Sequence, residues 1–179
     1  MHPVLALCLA APFLAVLCWK DCRTRTLPNA WTLALTVLAT VMRFAGEGVG
    51  GLWDGVLGGM ACGVFLLLPF LMRAAGGGDV KMMFAVGVLT GFRLCVAELL
   101  FVSVAGLAVA VFMMLSRRVS LARVKHGLRC VFDWRYDRVA GRAALPPASD
   151  ERVRIPFGVA IAFGTAATLV YAAMLEVVP

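Results

Sequence analysis

The chain has little charge for its length and almost no histidine. Asp, Glu, Lys and Arg make up 15% of its 179 residues, against about a quarter in ordinary soluble domains. Its two histidines are His2, at the N-terminus, and His126, in a basic stretch. Neither HExxH nor GxSxG occurs. Zinc-hydrolase and serine-hydrolase chemistry therefore lack the residues they need. The six cysteines (Cys8, Cys18, Cys22, Cys62, Cys95 and Cys130) contain no CxxC pair, so no metal site and no cofactor is expected. Most lie in apolar runs, where they read as small buried hydrophobes. Internal repeats and low-complexity segments are also absent.

What the chain has in abundance is apolar surface. Hydrophobic residues make up 62% of it and the mean hydropathy is +0.92, which marks a membrane protein. Its length suits a single domain over 1–179. The formal charge of +7 points to anionic lipid headgroups rather than to nucleic acid.

Six apolar runs predict an all-α fold: a polytopic bundle of six transmembrane helices at about 4–19, 30–45, 52–72, 79–92, 94–115 and 155–178. The first run resembles a signal-peptide core. However, its basic residues Lys20, Arg23 and Arg25 follow it instead of preceding it, so it reads as a retained helix with its N-terminus outside. Pro28 requires that helix to end before Leu27. A glycine-rich stretch over 46–51 turns the chain between the second and third runs. Gly55, Gly59 and Gly63, at four-residue spacing, form a small-residue face for close helix packing. The fourth run is short, spanning about 20 Å even with its polar start. It is expected to begin within the headgroup level or to sit in thinned bilayer. Charge decides that it crosses. With six spans, fifteen of the seventeen Lys and Arg lie inside, leaving Arg43 and Arg93 outside, as the positive-inside rule favours. Both termini are then non-cytoplasmic. The loop 116–154 is basic and cytoplasmic, and its Leu121, Val124, Leu128, Val131, Phe132 and Val139 recur at helical spacing. It reads as an amphipathic helix on the inner membrane surface.

This topology singles out two acids. Asp21 follows the first helix and Asp79 precedes the fourth, both at the inner face. Glu47, Asp54, Glu98 and Glu176 fall outside, and the remaining acids lie in the loop. Taken alone, Gly76-Gly77-Gly78-Asp79-Val80-Lys81 reads as a turn followed by an Asp helix cap. Taken with Asp21, Asp79 becomes half of a carboxylate pair. Two carboxylates sharing a site cannot both ionise readily. The ionised one can take a proton from water while the protonated one hydrogen-bonds a scissile carbonyl.

Three segments carry a family resemblance. Asp21-Cys22-Arg23-Thr24-Arg25-Thr26-Leu27-Pro28-Asn29 is similar to the D-x5-[IL]-P-N segment of type IV prepilin peptidases. Gly76 to Lys81 resembles their GxGD motif with its following x-K, and Arg154-Ile155-Pro156-Phe157-Gly158 their late [IV]-P-[FY]-G element. The resemblance implies a membrane aspartic endopeptidase of the bacterial inner membrane. Such an enzyme cuts the leader from prepilin or pseudopilin substrates, which carry a hydrophobic N-terminal helix, after a glycine at the cytoplasmic face.

Carried over by position, Asp21 and Asp79 are the catalytic pair, and Asp79 is expected within hydrogen-bond or one-water reach of Asp21 in the active form. Gly76 and Gly78 shape the loop. Lys81 either favours an ionised carboxylate or anchors the helix end. Pro28 and Asn29 set the turn beneath Asp21. The longer, bifunctional members resemble this chain plus an N-terminal segment with paired cysteines, so an N-methylation role is not expected here. The length and the segment 155–164 resemble the short, peptidase-only type serving Flp or tight-adherence pili. Two alternatives stand beside this reading. One is a presenilin-like GxGD protease cutting within a membrane helix, and the other is a non-catalytic carrier or pilus-assembly scaffold.

Overall fold

The computed structural model describes residues 2–24, 27–71, 75–116 and 157–177. Among them are five α-helices and no strand. These are α1 (Pro3–Thr24), α2 (Asn29–Leu71), α3 (Gly77–Thr90), α4 (Cys95–Leu115) and α5 (Phe157–Val177), with a 3-10 turn, Phe92–Leu94, leading into α4. Four segments, Pro3–Thr24, Asn29–Leu71, Phe92–Leu115 and Phe157–Leu175, are long and apolar enough to cross a membrane. The protein is a helical membrane protein. The chain divides into two units, Met1–Leu107 with Pro156–Pro179, and Ala108–Ile155. Of the second unit the described part is the last turns of α4, where the Ser116 N–H donates to Phe112 O at 2.9 Å. The expected amphipathic helix of the loop lies outside the described residues. Every candidate site residue belongs to the first unit.

α1 runs through Thr24 rather than stopping at Trp19. Hydropathy marks where an apolar run ends, whereas Lys and Arg are good helix formers and let the hydrogen bonding continue. Asp21 is therefore inside the helix, not after it. Its placement follows from periodicity: the buried residues Pro3, Ala6, Ala10, Leu14, Leu17 and Asp21 recur every three or four positions, the stripe that one helix face presents to a core. The carboxylate is the last member of an otherwise apolar stripe.

α2 contains 43 residues and if straight would be about 65 Å long, twice the thickness of a hydrocarbon core. It reverses at Gly48, whose φ of 62° and ψ of −145° break the helix. Such a left-handed φ favours glycine. Arg43 Nη1 donates to Asp54 Oδ2 at 3.1 Å, although eleven residues of straight helix would separate them by about 16 Å. The two limbs, 29–47 and 49–71, thus lie side by side. The expected turn over 46–51 contracts to one residue.

Between these limbs sits α3, buried at Met82, Met83 and from Ala85 to Thr90. Its contact with the second limb is made at backbone distance. A Cβ on Gly58 would fall 2.5 Å from Gly87 O, and one on Gly87 would fall 2.6 Å from Gly58 O. The expected small-residue face is real, but Gly58 joins Gly55 and Gly59 in it. A Cβ on Gly63 would come no nearer than an ordinary 3.6 Å to Phe84.

α3 begins at Gly77, two residues before the expected start at Asp79, and stops at Thr90. Its length is about 21 Å. The carbonyls that end a helix need outside donors, and the buried Arg43 supplies them. Its Nε lies 3.3 Å from Val88 O and 3.1 Å from Leu89 O. Arg43 is 5% exposed. Counted in the sequence only as an outer-side charge, it ends the short helix inside the protein.

Glu98, grouped in the sequence with the outer acids, is fully buried. Its Oε1 lies 2.6 Å from the Thr165 hydroxyl on α5. That hydroxyl is also 2.8 Å from Ile161 O. Glu98 Oε2 has no hydrogen-bond partner among the described residues.

Candidate active site

Asp21 is 5% exposed, and its Oδ2 accepts the N–H of Gly158 at 2.8 Å. Gly158 is the second residue of α5, where backbone N–H groups have no partner within their own helix. An acid of α1 thus fills the part that a local N-cap side chain usually fills, and the positive end of the α5 dipole favours its charge. The approach requires glycine, because a Cβ at 158 would fall 2.8 Å from Asp21 Oδ2 and 3.1 Å from its Cγ. The sequence places Gly158 in the third motif segment but does not mark it as a site residue. A glycine one residue past an aromatic helix start was its available signal.

Asp79 lies in the first turn of α3. Its Oδ2 accepts the Gly76 N–H at 3.0 Å, while its own N–H donates to Gly76 O at 3.1 Å. Asp79 is a capping residue, as expected, but from the first turn back onto Gly76 rather than from the N-cap position. It is half-buried and more open than Asp21. Both carboxylates therefore stand at helix N-termini, Asp21 at that of α5 and Asp79 at that of α3.

The Leu27-Pro28-Asn29 segment packs against the start of α3. A Cβ at Gly78 would fall 2.9 Å from Leu27 Cβ, so the glycine island rests directly on Leu27. Pro28 O accepts N–H groups of Trp31 at 3.1 Å and Thr32 at 3.3 Å, which starts α2. Lys81 Nζ donates to Asn29 Oδ1 at 2.9 Å. Of the two roles read for Lys81, the structure adds a third: it pins α3 to the start of α2. Asn29 does more than set a turn. α3 packs against α5 as well. The described residues of the three motif segments are linked through the first, Asp21 to Gly158 and Leu27 and Asn29 to Gly78 and Lys81, with Gly76 as the N-cap of α3 and Gly77 and Gly78 as its first residues. Among the described residues no three His, Cys, Asp or Glu side chains gather as metal ligands.

An all-helical membrane protein with two helix-capping aspartates at one end is the class defined so far. The sequence model of the type IV leader peptidase family matches residues 8–111, more than half of the chain, and the protein belongs to that family. The matched stretch takes in Asp21, the Leu27-Pro28-Asn29 segment and the glycine island with Asp79 and Lys81. Gly158 lies beyond it and is tied to the site by its bond to Asp21. No curated protein and no solved structure matches the chain.

Proposed function

We propose that the protein is a membrane aspartic endopeptidase that removes the leader of prepilin-like proteins after a glycine, at the cytoplasmic face, using Asp21 and Asp79. The carrying observation is the convergence of the three motif segments: Gly158 on Asp21, Gly78 on Leu27 and Lys81 on Asn29. In the active form Asp79 comes within hydrogen-bond or one-water reach of Asp21. One carboxylate is then ionised and takes a proton from water, whose oxygen attacks the scissile carbonyl carbon. The other, protonated, donates to the carbonyl oxygen. When the tetrahedral intermediate collapses, the C–N bond breaks, a proton passes to the leaving amine, and a carboxylate and a new N-terminus result.

The reading includes six crossings in a bacterial inner membrane, the two limbs of α2 counting separately and α3 as the short crossing. Both termini are then non-cytoplasmic, and the basic 116–154 loop faces anionic lipid inside. The short, Flp-type assignment belongs to the same proposal. The test is co-expression with a candidate prepilin and sequencing of the product's N-terminus. Wild type yields a cut after glycine. Asp21→Asn and Asp79→Asn each lower cleavage by at least about 100-fold while still accumulating in the membrane. Full cleavage by either variant overturns the assignment.

A further inference from the structure

The cysteines among the described residues occupy two kinds of place. Cys62 and Cys95 are buried, as cysteines in apolar runs are expected to be. Cys8, Cys18 and Cys22 are not, and all three belong to α1. Cys8 stands about 15 Å of helix before Cys18, too far to share a ligand with it. Cys18 and Cys22 are four residues apart, about one turn, so they share a face. Cys18 is half-buried and Cys22 exposed. The Cys18 thiol is within interaction range of both Cys22 and the Asp21 carboxylate. The pair thus lies directly beside a candidate catalytic residue, and neither thiol has a part in the proposed cleavage.

The helix decides what such a pair can hold. Side chains four apart keep their Cβ atoms about 5–6 Å from each other. A disulfide needs them within about 3.5–4.5 Å, so oxidation of this pair would have to unwind the turn that carries Asp21. An ion fits without unwinding: two metal–sulfur bonds of about 2.3 Å each bridge the gap with the backbone in place. Thiolates select soft ions. Zinc and iron–sulfur clusters take four ligands, and among the described residues no three His, Cys, Asp or Glu side chains gather to supply them. Cu(I) is the soft ion that two thiolates satisfy.

We infer that Cys18 and Cys22 form a two-thiolate site for one Cu(I) ion, bridging the last turns of α1 beside Asp21. On binding, each thiol releases its proton to solvent, two sulfur–copper bonds form, and no atom changes oxidation state. At a cytoplasmic face, where the proposed function sets this end of α1, thiols stay reduced and able to bind. Helix ends fray, and a bridge from Cys18 to Cys22 clamps the final turn of α1. Asp21, which lies between the two thiols in sequence, is then held on Gly158 and hindered from meeting Asp79. Bound copper therefore slows cleavage. That consequence rests on the reading of Asp21 and Asp79 as the catalytic pair, whereas the site itself does not.

The experiment uses the full chain in detergent, carrying Cys8→Ser and Cys130→Ser and kept anaerobic with ascorbate. Cu(I) is titrated against bicinchoninate, a chromophoric competitor. This parent protein holds one equivalent of Cu(I) at least tenfold more tightly than does its Cys18→Ser or Cys22→Ser derivative. Cys22→Ser combined with Thr24→Cys keeps the thiol count but moves the second thiol about 9 Å along the helix from Cys18 and off their shared face. It loses the site as fully. A smaller difference in any of these variants overturns the inference, as does a Cys18–Cys22 disulfide found by mass spectrometry in place of the ion. In cleavage of a purified candidate prepilin, one equivalent of Cu(I) slows the parent at least tenfold. Each thiol variant, measured against its own copper-free rate, slows less than twofold. Tight binding with an unslowed parent overturns the clamp and leaves the site. Absent cleavage without copper defeats the peptidase reading, and the titration still decides the site.

Discussion

Asp21 and Gly158 stand 137 residues apart in sequence and share one hydrogen bond, 2.8 Å from backbone nitrogen to carboxylate oxygen. The bond makes the first helix and the last helix hold each other at the candidate site. It also explains why the residue at 158 has no side chain.

Gly158→Ala puts a methyl group against the Asp21 carboxylate. Alanine favours a helix over glycine by about 1 kcal/mol, so the overall stability changes little while Asp21 is displaced. Cleavage of a co-expressed prepilin falls at least about tenfold, with the melting temperature in detergent nearly unchanged. Wild-type cleavage by this variant would show that Asp21 does not need its present position.

Gly78 and Leu27 make a testable pair. Gly78→Ala collides with Leu27 Cβ and lowers cleavage, and Leu27→Gly removes that atom. The double variant therefore recovers part of what Gly78→Ala loses, despite the flexibility that the new glycine adds. A double-mutant cycle gives a coupling of about 0.5–3 kcal/mol in the cleavage rate. Strict additivity would mean that the island does not rest on Leu27.

Arg43→Met leaves Asp54 and the carbonyls of Val88 and Leu89 without their donor. Removing the donor from buried carbonyls and from a half-buried acid, 23% exposed, costs about 1–3 kcal/mol, visible as a lower melting temperature in detergent. Combining it with Asp54→Leu restores part of the loss, because the orphaned charge goes too. If Arg43→Met melts like the wild type, the arginine does not end α3.

Glu98 separates shape from charge. Glu98→Gln keeps the size and an oxygen for the Thr165 hydroxyl, and its membrane level and melting stay within about 1 kcal/mol of wild type. Glu98→Lys buries a cation with no acid provided for it and fails to accumulate. Equal loss in both variants would sink this account.

Much of this structure was readable in the sequence, and the failures have physical causes. Apolar runs located the helices, and the spacing of Ala6, Ala10, Leu14 and Leu17 already leads to Asp21 as a buried position. Helix ends were less legible: hydropathy says where lipid contact stops, and Lys20 and Arg23 continue a helix that hydropathy closes. The glycine island suggests that Asp79 caps from outside the helix, yet an acid in the first turn can cap by reaching back, and composition does not distinguish the two. Arg43 and Glu98 were assigned by position along a run. Their partners, Val88, Leu89 and Thr165, lie on other helices, and no local pattern announces them. The meeting of Gly158 with Asp21 is of the same kind.

The anchoring of α3 by Arg43 has a consequence for how the chain can vary. With one end held by the arginine and Asp79 at the other, the helix works as a ruler read from its far end. Adding one residue between Asp79 and Val88 would swing the carboxylate about 100° around the axis and carry it 1.5 Å outward. Adding four would return it to nearly the same face but about 6 Å too far along. Neither change alters a residue at the candidate site, yet each would carry Asp79 away from the place it now holds at the start of α3.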